Sequence, residues 1–320
     1  MRRKIDWERQ LGRRLKLRDL HVFFTVAERG SMAQAAAQLD VTAPTVSEVI
    51  ADLEHALGVK LFDRSPQGVE PTMYATALLK RGKIAFDELK QGIRDIEFLA
   101  DPTVGELRMM CDESVAAATL PLIIDRFIRD HPNAVLDVES FDRFSYVAKL
   151  RDRAFDLVLT RRPQPDLEND PRGELKADVL FDDELVVAAG KHTRWARRRK
   201  IDLAELADAP WILTAPGTWN YEVVAEAFRQ RGLGVPRLSM KTLSVYLRTN
   251  LLATGEFITA FPRSVLDLHA ERFALRALPV DLPARPWPVM LLTLRNRTMS
   301  PIVERFIVCA REVAARSGKL

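Results

Sequence analysis

The residue types that most often carry catalysis are dispersed along this sequence. The five histidines are far apart, and the chain contains no HExxH, GxSxG, P-loop or GxGxxG pattern. The two cysteines, Cys111 and Cys309, fall in no CxxC or Cys/His spacing, so we expect no metal, cofactor or disulfide framework. Catalytic groups can assemble from distant positions in a sequence. The patterns that are recognisable in this sequence, however, consist of residues suited to hydrogen bonding and charge interactions rather than to catalysis. We therefore predict that the protein is not an enzyme.

Small hydroxyl, amide and cationic side chains are concentrated between residues 31 and 64. Ser31 and Thr42 each precede a helical stretch, where a hydroxyl can accept a hydrogen bond from a free amide of the first turn. Hydroxyl, amide and cationic groups also bind phosphate oxygens. The residues that we expect to do so are Ser31, Gln34, Thr42, Lys60 and Arg64. For Lys60, an ordinary surface charge is an equal alternative.

Short helices must position these residues. The apolar spacing of residues 17–29 predicts a helix that ends at Gly30, and two more helices follow at about 31–39 and 42–57. LFDRSPQGVEPT then predicts two extended pieces around a Ser-Pro-Gln-Gly turn. Three helices and a wing form a winged helix-turn-helix, whose last helix is sized for the major groove of DNA. The residues that we place toward the groove are Thr42, Ala43, Pro44, Thr45, Ser47 and Glu48.

Residues 73–101 predict one long helix. Apolar or small residues alternate at spacings of four and three from Ala75 to Ala100, which is the period of a coiled coil. A helix buried within one domain would also be apolar, but it would usually show a wider stripe. We therefore predict that this helix pairs with a copy of itself. The predicted contacts are Leu79, Phe86, Leu89, Ile93 and Ile96.

Beyond residue 101 the pattern changes to strands that alternate with helices. The first set of strands is GELRMMC, AVLDVES and FDLVLT, with helices predicted at 115–129 and 145–153. A second set follows as DELVVAAG, PWIL, RLSMK and EFITAF, with helices after Trp219 and at about 244–254. VMLLTL and a helix at about 300–315 close the chain. This order predicts two α/β units with mostly parallel sheets.

Polar residues stand at several strand ends and at the starts of the helices that follow. Strand ends, free helix amides and the seam between two α/β units favour a polar or anionic ligand. The candidates are Cys111, Ser114, Thr160, Arg161, Thr218, Trp219 and Asn220. Helix capping is the alternative role of Ser114 and Thr218, and packing is that of Trp219. Arg161 either clamps a carboxylate or braces the hinge.

The charge balance of the whole chain, with 48 basic against 44 acidic residues, gives no argument for a polyanionic partner. Two basic stretches are local exceptions. Residues 1–16 form an arm that is either a solvated surface helix or an auxiliary phosphate contact, and RWARRRK at 194–200 is expected to be a solvated loop rather than a second nucleic-acid site. No signal-peptide core or run of ~18 apolar residues occurs, so we expect a cytoplasmic protein without membrane contact.

KLRDLHVFFTVAERGSMAQAAAQLDVTAPTVSEVIADLEHALGVKLFDRS resembles the LysR-type transcriptional regulators, most specifically in LEHALGVKLFDR at 53–64. The long helix and the two α/β units also match, so the resemblance runs from about Leu17 to the C-terminus. It implies a homodimer or homotetramer on an interrupted palindrome in double-stranded DNA, with RNA polymerase as a further partner. It also implies a small-molecule effector in a cleft like that of type 2 periplasmic binding proteins, and adds Thr242 and Ser244 to the cleft candidates. An architectural DNA-binding protein without a ligand response is the alternative.

The resemblance divides the chain into four parts. A basic arm at 1–16 precedes the winged helix-turn-helix at 17–72, and a linker and dimerisation helix at 73–101 leads to an effector-binding regulatory domain at 102–320. Within that domain we expect subdomain I at about 104–162 and 284–320, and subdomain II at about 163–283.

The helix predicted to enter the groove departs from the family pattern at two places. The usual Ser-Gln at its start is Thr42-Ala43, and the usual basic residue after the serine is Glu48. Ala43 lacks the group that would read a base with two hydrogen bonds, and Glu48 repels phosphate unless it accepts from a cytosine amino group. The sequence therefore leaves base recognition by this helix open, while backbone contacts through the five phosphate-binding candidates remain expected.

Overall fold

The computed structural model describes residues 15–65, 68–140, 146–161, 170, 173–282 and 287–317 of the 320-residue chain. The chain divides into two compact units, residues 1–90 and residues 91–320. The predicted basic arm lies outside the described residues apart from Leu15 and Lys16. In the ranges given, no helix is both long and apolar enough to span a bilayer.

Three short helices build the first unit. They are α1 (Leu17–Arg29), α2 (Met32–Gln38) and α3 (Ala43–Leu57). Ser31 Oγ accepts a hydrogen bond from the amide of Gln34, and Thr42 Oγ1 accepts one from the amide of Thr45, each at 3.4 Å. Both predicted helix caps are therefore confirmed. The core between the helices includes Phe23, Val26, Ala35, Val46, Ile50 and Leu53.

A hairpin follows α3, as predicted. Its strands β1 (Phe62–Ser65) and β2 (Gly68–Pro71) pair in antiparallel register, and residues 66 and 67 lie outside the described ranges. The amide of Val69 donates to the carbonyl of Gly30, the residue that ends α1, at 2.9 Å. A Cβ built on Gly68 would come within 2.5 Å of the same carbonyl, so only glycine allows the wing to dock there.

The long helix α4 (Met73–Ala100) has the predicted length, but its apolar seam is divided. Leu79 packs on the core of the first unit, and the ring of Phe86 lies 5.2 Å from that of Phe24, centroid to centroid. The outward residues of the second half are Leu89, Ile93 and Ile96, with exposed fractions of 48%, 58% and 68%. Part of the seam predicted to bind a second copy therefore packs on its own unit. The sequence could not show this, because helical spacing indicates which residues are buried but not which partner buries them.

The described strands of the second unit form two five-stranded sheets. The first sheet has the order β4-β3-β5-β12-β6, and the second has the order β11-β7-β10-β8-β9. The strands of the first sheet are β3 (Val104–Cys111), β4 (Asn133–Ser140), β5 (Leu157–Thr160), β6 (Leu175–Asp183) and β12 (Trp287–Leu294). Those of the second sheet are β7 (Leu185–Gly190), β8 (Trp211–Leu213), β9 (Leu238–Lys241), β10 (Ile258–Pro262) and β11 (Leu275–Ala277).

Helices cover these sheets. They are α5 (Glu113–Ala116), α6 (Thr119–Asp130), α7 (Tyr146–Arg151), α8 (Trp219–Gln230), α9 (Val245–Ala253), α10 (Arg263–His269) and α11 (Pro301–Ser317), with a 3₁₀ turn at Leu203–Leu206. The helix predicted at 115–129 is interrupted between α5 and α6. Pro121 stands in the first turn of α6, where its ring would clash with the carbonyl four residues earlier if one helix continued. The predicted helix start at Ser145 lies outside the described residues.

The expectation of mostly parallel sheets is confirmed, with one strand in each sheet running opposite to the other four. β3 is parallel to β4 and β5, and β8 is parallel to β9 and β10, but β12 and β7 are each antiparallel to both of their neighbours. The sheets are mixed because β12 and β7 follow chain crossings between sheets, and a local βαβ pattern does not set the direction of such strands.

The predicted boundary of subdomain II at residue 163 moves. β6 pairs with β12 from Leu175 to Asp183 and so belongs to the first sheet. The chain crosses to the second sheet at Glu184, the single residue between β6 and β7. The alternating apolar signal of β6 was not recognised in the sequence, and neither were the short elements α10 and β11.

Candidate DNA interface and effector cleft

The outward face of α3 is acidic rather than basic. Thr42, Pro44 and Glu48 are exposed, and Asp52 lies one turn beyond Glu48 on the same side. Thr42 Oγ1 lies 2.8 Å from Thr45 Oγ1, so these two predicted contacts are hydrogen-bonded to each other. The helix contains no lysine or arginine. Attraction to phosphate must therefore come from other elements of the unit.

The other half-exposed or exposed residues of the predicted set are Ser31, Gln34, Ala43, Ser47 and Lys60. Ser31 caps α2 and Gln34 lies in its first turn, so both sit at the end of that helix. The side chain of Arg64 lies outside what the structure describes, and the prediction for it stays a prediction.

A buried carboxylate that the sequence analysis did not single out holds the junction between α3 and the wing. Glu54 is 7% exposed and accepts hydrogen bonds from Lys60 Nζ at 2.6 Å and from the amides of Leu61 and Phe62 at 2.8 and 3.3 Å. Burial alone would raise the pKa of Glu54, but these donors together outweigh it and hold that pKa below its ordinary value. Lys60 is thus paired with Glu54 while its side chain remains 78% exposed.

In the second unit, the loop after β3 is organised by Asp112, not by Ser114. Asp112 Oδ1 accepts from the amide of Val115 at 2.9 Å and from Ser114 Oγ at 2.7 Å, and Oδ2 accepts from the amide of Arg161 at 2.7 Å. Asp112 is therefore the cap of α5, and Ser114 lies inside the first turn. The helix amide that was expected to meet a ligand beside Ser114 is already bonded to Asp112.

Cys111 lies in the apolar core of the first sheet and is fully buried. Burial, reinforced by the charges of Asp112 and Glu113, raises the pKa of Cys111 to about 12. The structure therefore places this candidate behind the cleft wall. Thr160, at the end of β5, is also fully buried, and among the described residues its Oγ1 has no hydrogen-bond partner.

Arg161 links the two sheets. Its Nη1 pairs with Asp183 Oδ2 at the end of β6, and its Nη2 donates to Ser264 Oγ of α10 at 2.7 Å. Asp183 Oδ1 in turn accepts from the amide of Glu184, the crossover residue, at 2.9 Å. These contacts correspond to the bracing role of Arg161, which was one of the two roles that the sequence left open; the other was a clamp on a ligand carboxylate. The Nε atom of Arg161 is buried and has no partner within the described part of the chain.

Two tryptophans stack across the seam between the sheets. The rings of Trp219, the first residue of α8, and Trp287, the first residue of β12, lie 4.5 Å apart with an interplanar angle of 25°. Trp287 Nε1 donates to the carbonyl of Arg161. Trp219 was predicted as an apolar wall, whereas Trp287 was not predicted, because its only local signal is its position at the start of an apolar strand.

The remaining candidates of the second sheet lie at the starts of α8 and α9. Thr218 occupies the N-cap position of α8, but its Oγ1 bonds Thr214 Oγ1 and the carbonyl of Ala215 instead of a helix amide. Asn220 follows in the first turn and is half-buried. Ser244 caps α9 by accepting from the amide of Leu247 at 3.2 Å.

Thr242 and Ser244 are joined to the first sheet through Glu113. Thr242 Oγ1 accepts from the amide of Ser244 at 3.1 Å, and Glu113 Oε1 accepts from the amide of Val245 at the same distance. A negative carboxylate at the start of α9 also suits the positive end of the helix dipole. His269 Nε2 and the carbonyl of Ala117 form a second hydrogen bond across the seam at 2.8 Å.

Arg248, on the inner side of α9, is buried without a carboxylate partner among the described residues. Its Nη1 donates to the carbonyl of Ala260 at 3.2 Å, and its guanidinium lies 4.5 Å from the centre of the Phe261 ring. Burial lowers the pKa of Arg248 to about 10, opposed by the negative charge of Glu113. The guanidinium stays protonated at neutral pH.

Three of the predicted cleft residues, Ser114, Arg161 and Trp219, are connected through Asp112 and Trp287, which were not predicted. Ser114 bonds Asp112, Asp112 bonds Arg161, Arg161 bonds Trp287, and Trp287 stacks on Trp219. This chain of contacts runs from the loop after β3 in the first sheet to the start of α8 in the second.

Comparison with known proteins gives two family matches and many full-length relatives. Residues 17–76 match the bacterial regulatory helix-turn-helix family of lysR type, and residues 100–315 match the LysR substrate binding domain. The HTH-type transcriptional regulator GbpR of Azospirillum brasilense is 25% identical over 292 residues, which cover 91% of this chain and 84% of GbpR. The transcriptional dual regulator GltC of Bacillus subtilis (strain 168) is also 25% identical over 292 residues, covering 91% of this chain and 95% of GltC.

Solved structures show the same fold. The crystal structure of full-length CbnR in complex with its target DNA has a TM-score of 0.53 and 22% identity, and the match covers 94% of this chain and all of that one. A full-length OxyR variant from Pseudomonas aeruginosa has a TM-score of 0.63 and 20% identity, with 93% and 94% of the two chains covered. With family matches over most of its length, the chain belongs to the LysR family of bacterial transcriptional regulators, which join a helix-turn-helix DNA-binding domain to an effector-binding domain.

Proposed function

We propose that this regulator is switched by a small metabolite that binds at the seam between the two sheets, against Ser114 and Arg161 on one side and Thr218 and Trp219 on the other. The observation that carries the proposal is the continuous set of contacts from Ser114 to Trp219 described above. A ligand that displaces any member of that set changes how the sheets are held together.

The unpaired polar atoms at the seam indicate the ligand's chemistry. Thr160 Oγ1 and Arg161 Nε are buried and lack partners among the described residues, and such atoms cost free energy unless water or a ligand meets them. The Trp219 and Trp287 rings supply an apolar flank. Arg161 is already neutralised by Asp183, so a strong negative charge on the ligand is not required. We infer a compound with hydrogen-bonding groups and a ring or alkyl body.

The same groups argue for binding rather than turnover. The carboxylate of Asp112 is engaged by three donors, and the Cys111 thiol is buried with its pKa near 12, so neither is poised as a base or nucleophile. We propose that the protein acts in the cytoplasm, where its DNA target is, as a dimer or tetramer and in contact with RNA polymerase.

Thermal shift tests the ligand site directly. Metabolites are screened with the full chain, and a ligand of the folded cleft is expected to raise the melting temperature with concentration. The shift should fall by more than half in Ser114→Ala/Thr218→Ala and persist in Thr254→Ala, whose hydroxyl bonds Leu251 at the far end of α9. A shift that survives the double substitution undiminished places the ligand elsewhere.

The acidic face of α3 favours a second candidate, an architectural DNA-binding protein that ignores ligands. Footprinting separates the two. A discrete, two-fold symmetric protected site whose pattern changes with the ligand supports the regulator described here. An even ladder along the duplex, unchanged by any ligand, supports the architectural alternative.

A further inference from the structure

A cavity beside the second sheet is lined by arginines from three separate segments of the chain. Its volume of about 510 Å³ is within the range of small-molecule sites, but it is a depression open to solvent, since all five arginines are exposed. Arg197, Arg198 and Arg199 come from the loop after β7, Arg263 begins α10, and Arg276 lies on β11. The sequence shows three of these arginines as part of a basic run, but only the fold brings the other two beside them.

The loop that carries the three consecutive arginines is held at both ends. Ala196 and Ile201, on either side, are 3% and 4% exposed, and the amide of Ile201 donates to the carbonyl of Pro279 at 3.2 Å. The three arginines thus lie in a short loop between two buried residues, Ala196 and Ile201. The hydrogen bond from Ile201 to Pro279 fixes the backbone of this loop beside the segment that follows β11. The arginine side chains themselves are exposed, as the sequence predicted for a solvated loop, and the two buried residues anchor the backbone that carries them.

The charge of the cavity is only partly neutralised. Arg198 pairs with Glu205 at 3.1 Å, and Arg263 pairs with Glu184 of the crossover. Arg197, Arg199 and Arg276 have no ion-pair partner in the part of the chain that the structure describes. Gathering like charges around one concavity raises its positive potential and is unfavourable in the absence of a counter-charge.

We propose that this cavity binds a compact polyanion that carries at least two phosphate groups. Guanidinium groups bind phosphate oxygens through paired N–H donors, which makes arginine better suited to this ligand than lysine. Three arginines free of carboxylates exceed the need of a single monoanion, and a concave site of this size suits a small molecule better than an extended nucleic-acid backbone. This site is separate from the seam that holds Ser114 and Trp219, and the inference does not depend on the proposed effector.

Isothermal titration of the full chain with inorganic pyrophosphate tests the site, with inorganic phosphate as the weaker comparison and chloride used to match ionic strength. Pyrophosphate is expected to bind at one site per chain, at least tenfold more tightly than phosphate. Arg197→Ala/Arg199→Ala/Arg276→Ala should weaken pyrophosphate binding at least tenfold. All three side chains are exposed, so the variant should fold, and circular dichroism checks this.

A matched control removes the same number of charges from exposed helical ion pairs. Arg126→Ala/Arg129→Ala/Arg229→Ala breaks pairs with Asp130, Asp125 and Glu226 and should leave pyrophosphate affinity unchanged. Equal losses in both variants, or no binding by the unmodified chain at matched ionic strength, would overturn the proposal. The proposal would also be overturned if the Arg197→Ala/Arg199→Ala/Arg276→Ala variant lost only nonspecific duplex binding, because the arginines would then bind nucleic acid. Footprinting at the specific site reports the regulator function independently.

Discussion

Glu54 is an ionised carboxylate inside the first unit, and at the scale of single residues it connects α3, the helix predicted to face DNA, to the wing. Its two oxygens accept from one cation and two backbone amides, so the turn after α3 is held by a side chain rather than by regular secondary structure. Because Lys60 approaches Glu54 from solvent, the cation is held near the surface where phosphate contacts are predicted.

Glu54→Gln should loosen this turn. Loss of hydrogen bonds to a charged, buried group is expected to cost about 1–3 kcal/mol of local stability at neutral pH. The pKa of Glu54 is lower in the folded protein than in the unfolded chain. The ionised carboxylate therefore contributes its full stabilisation at pH values above the unfolded-state pKa, and this stabilisation is lost as the pH falls through the folded-state pKa. Hydrogen exchange at the amides of Leu61 and Phe62 should therefore be faster in the variant at neutral pH, with the difference vanishing in acid.

The control for this prediction is Asp63→Asn, which removes a neighbouring but exposed carboxylate. It should leave exchange at Leu61 and Phe62 unchanged. If Asp63→Asn and Glu54→Gln accelerated exchange equally, the effect would be one of net charge and the junction role of Glu54 would be wrong.

Glu48 provides a second residue-scale prediction. It is exposed on α3, so Glu48→Gln should tighten binding to nonspecific duplex severalfold by removing repulsion from phosphate. Fluorescence anisotropy at one fixed salt concentration measures this, with Asp137→Asn on exposed β4 as a control that should change little. Unchanged or weaker binding by Glu48→Gln would mean that this side chain points away from DNA or contributes a needed contact.

At the scale of elements, α4 has two different apolar surfaces. Its first half packs on α1, where a Cβ on Gly82 would lie 2.2 Å from the tip of the Phe24 ring, so a larger residue at this position would force that ring to move. Its second half leaves Leu89, Ile93 and Ile96 exposed in a single copy of the chain. An exposed apolar row of this kind fits the oligomeric assembly that the family implies.

Leu89→Lys/Ile93→Lys should therefore convert the oligomer to monomers, because it would bury two charges at the pairing surface. Sedimentation velocity measures the association state. Ala77→Lys, also exposed but on another side of α4, adds charge without touching the row and should leave the assembly intact. An undiminished oligomer in the double variant would show that copies associate through another surface.

At the scale of the whole molecule, Asp156 joins the end of the linker helix to the effector-binding domain. Its Oδ1 pairs with Arg297 Nη2 at 2.9 Å and with Arg94 Nη1 of α4 at 3.4 Å, while Oδ2 accepts from the amide of Arg108 at 2.9 Å. Asp156 and the Arg297 side chain are 3% and 1% exposed. Asp156 therefore links the last turns of α4 to β3 and to the loop after β12 within the second unit.

Asp156→Asn should destabilise the second unit by about 3–5 kcal/mol, because it breaks the buried ion pair between Asp156 and Arg297. Differential scanning calorimetry of the full chain should show the corresponding transition shifted to lower temperature. Asp178→Asn breaks a more exposed pair with Arg311 and should cost no more than about 1 kcal/mol. Similar shifts for both variants would contradict the view that burial makes the Asp156 cluster important.

The sequence alone determined the local parts of this protein. Ser31, Thr42, Gly30 and Gly58 set helix starts and ends through contacts within about four residues, so their roles follow from neighbours in the chain. The wing, the long helix and the family resemblance follow from the same kind of short-range pattern. Strand existence was also predictable where apolar runs were strong, but not for the weaker β6 and β11.

The tertiary structure decided which partners those local elements meet. Arg161 pairs with Asp183, 22 positions away, and Trp287 donates to the Arg161 carbonyl across 126 positions. No pattern within a short window encodes such pairs, since they depend on how two sheets and a crossover are arranged. For the same reason, only the fold brings Arg263 and Arg276 beside the exposed loop of three arginines, and only the fold shows that the first half of the α4 seam packs on its own unit.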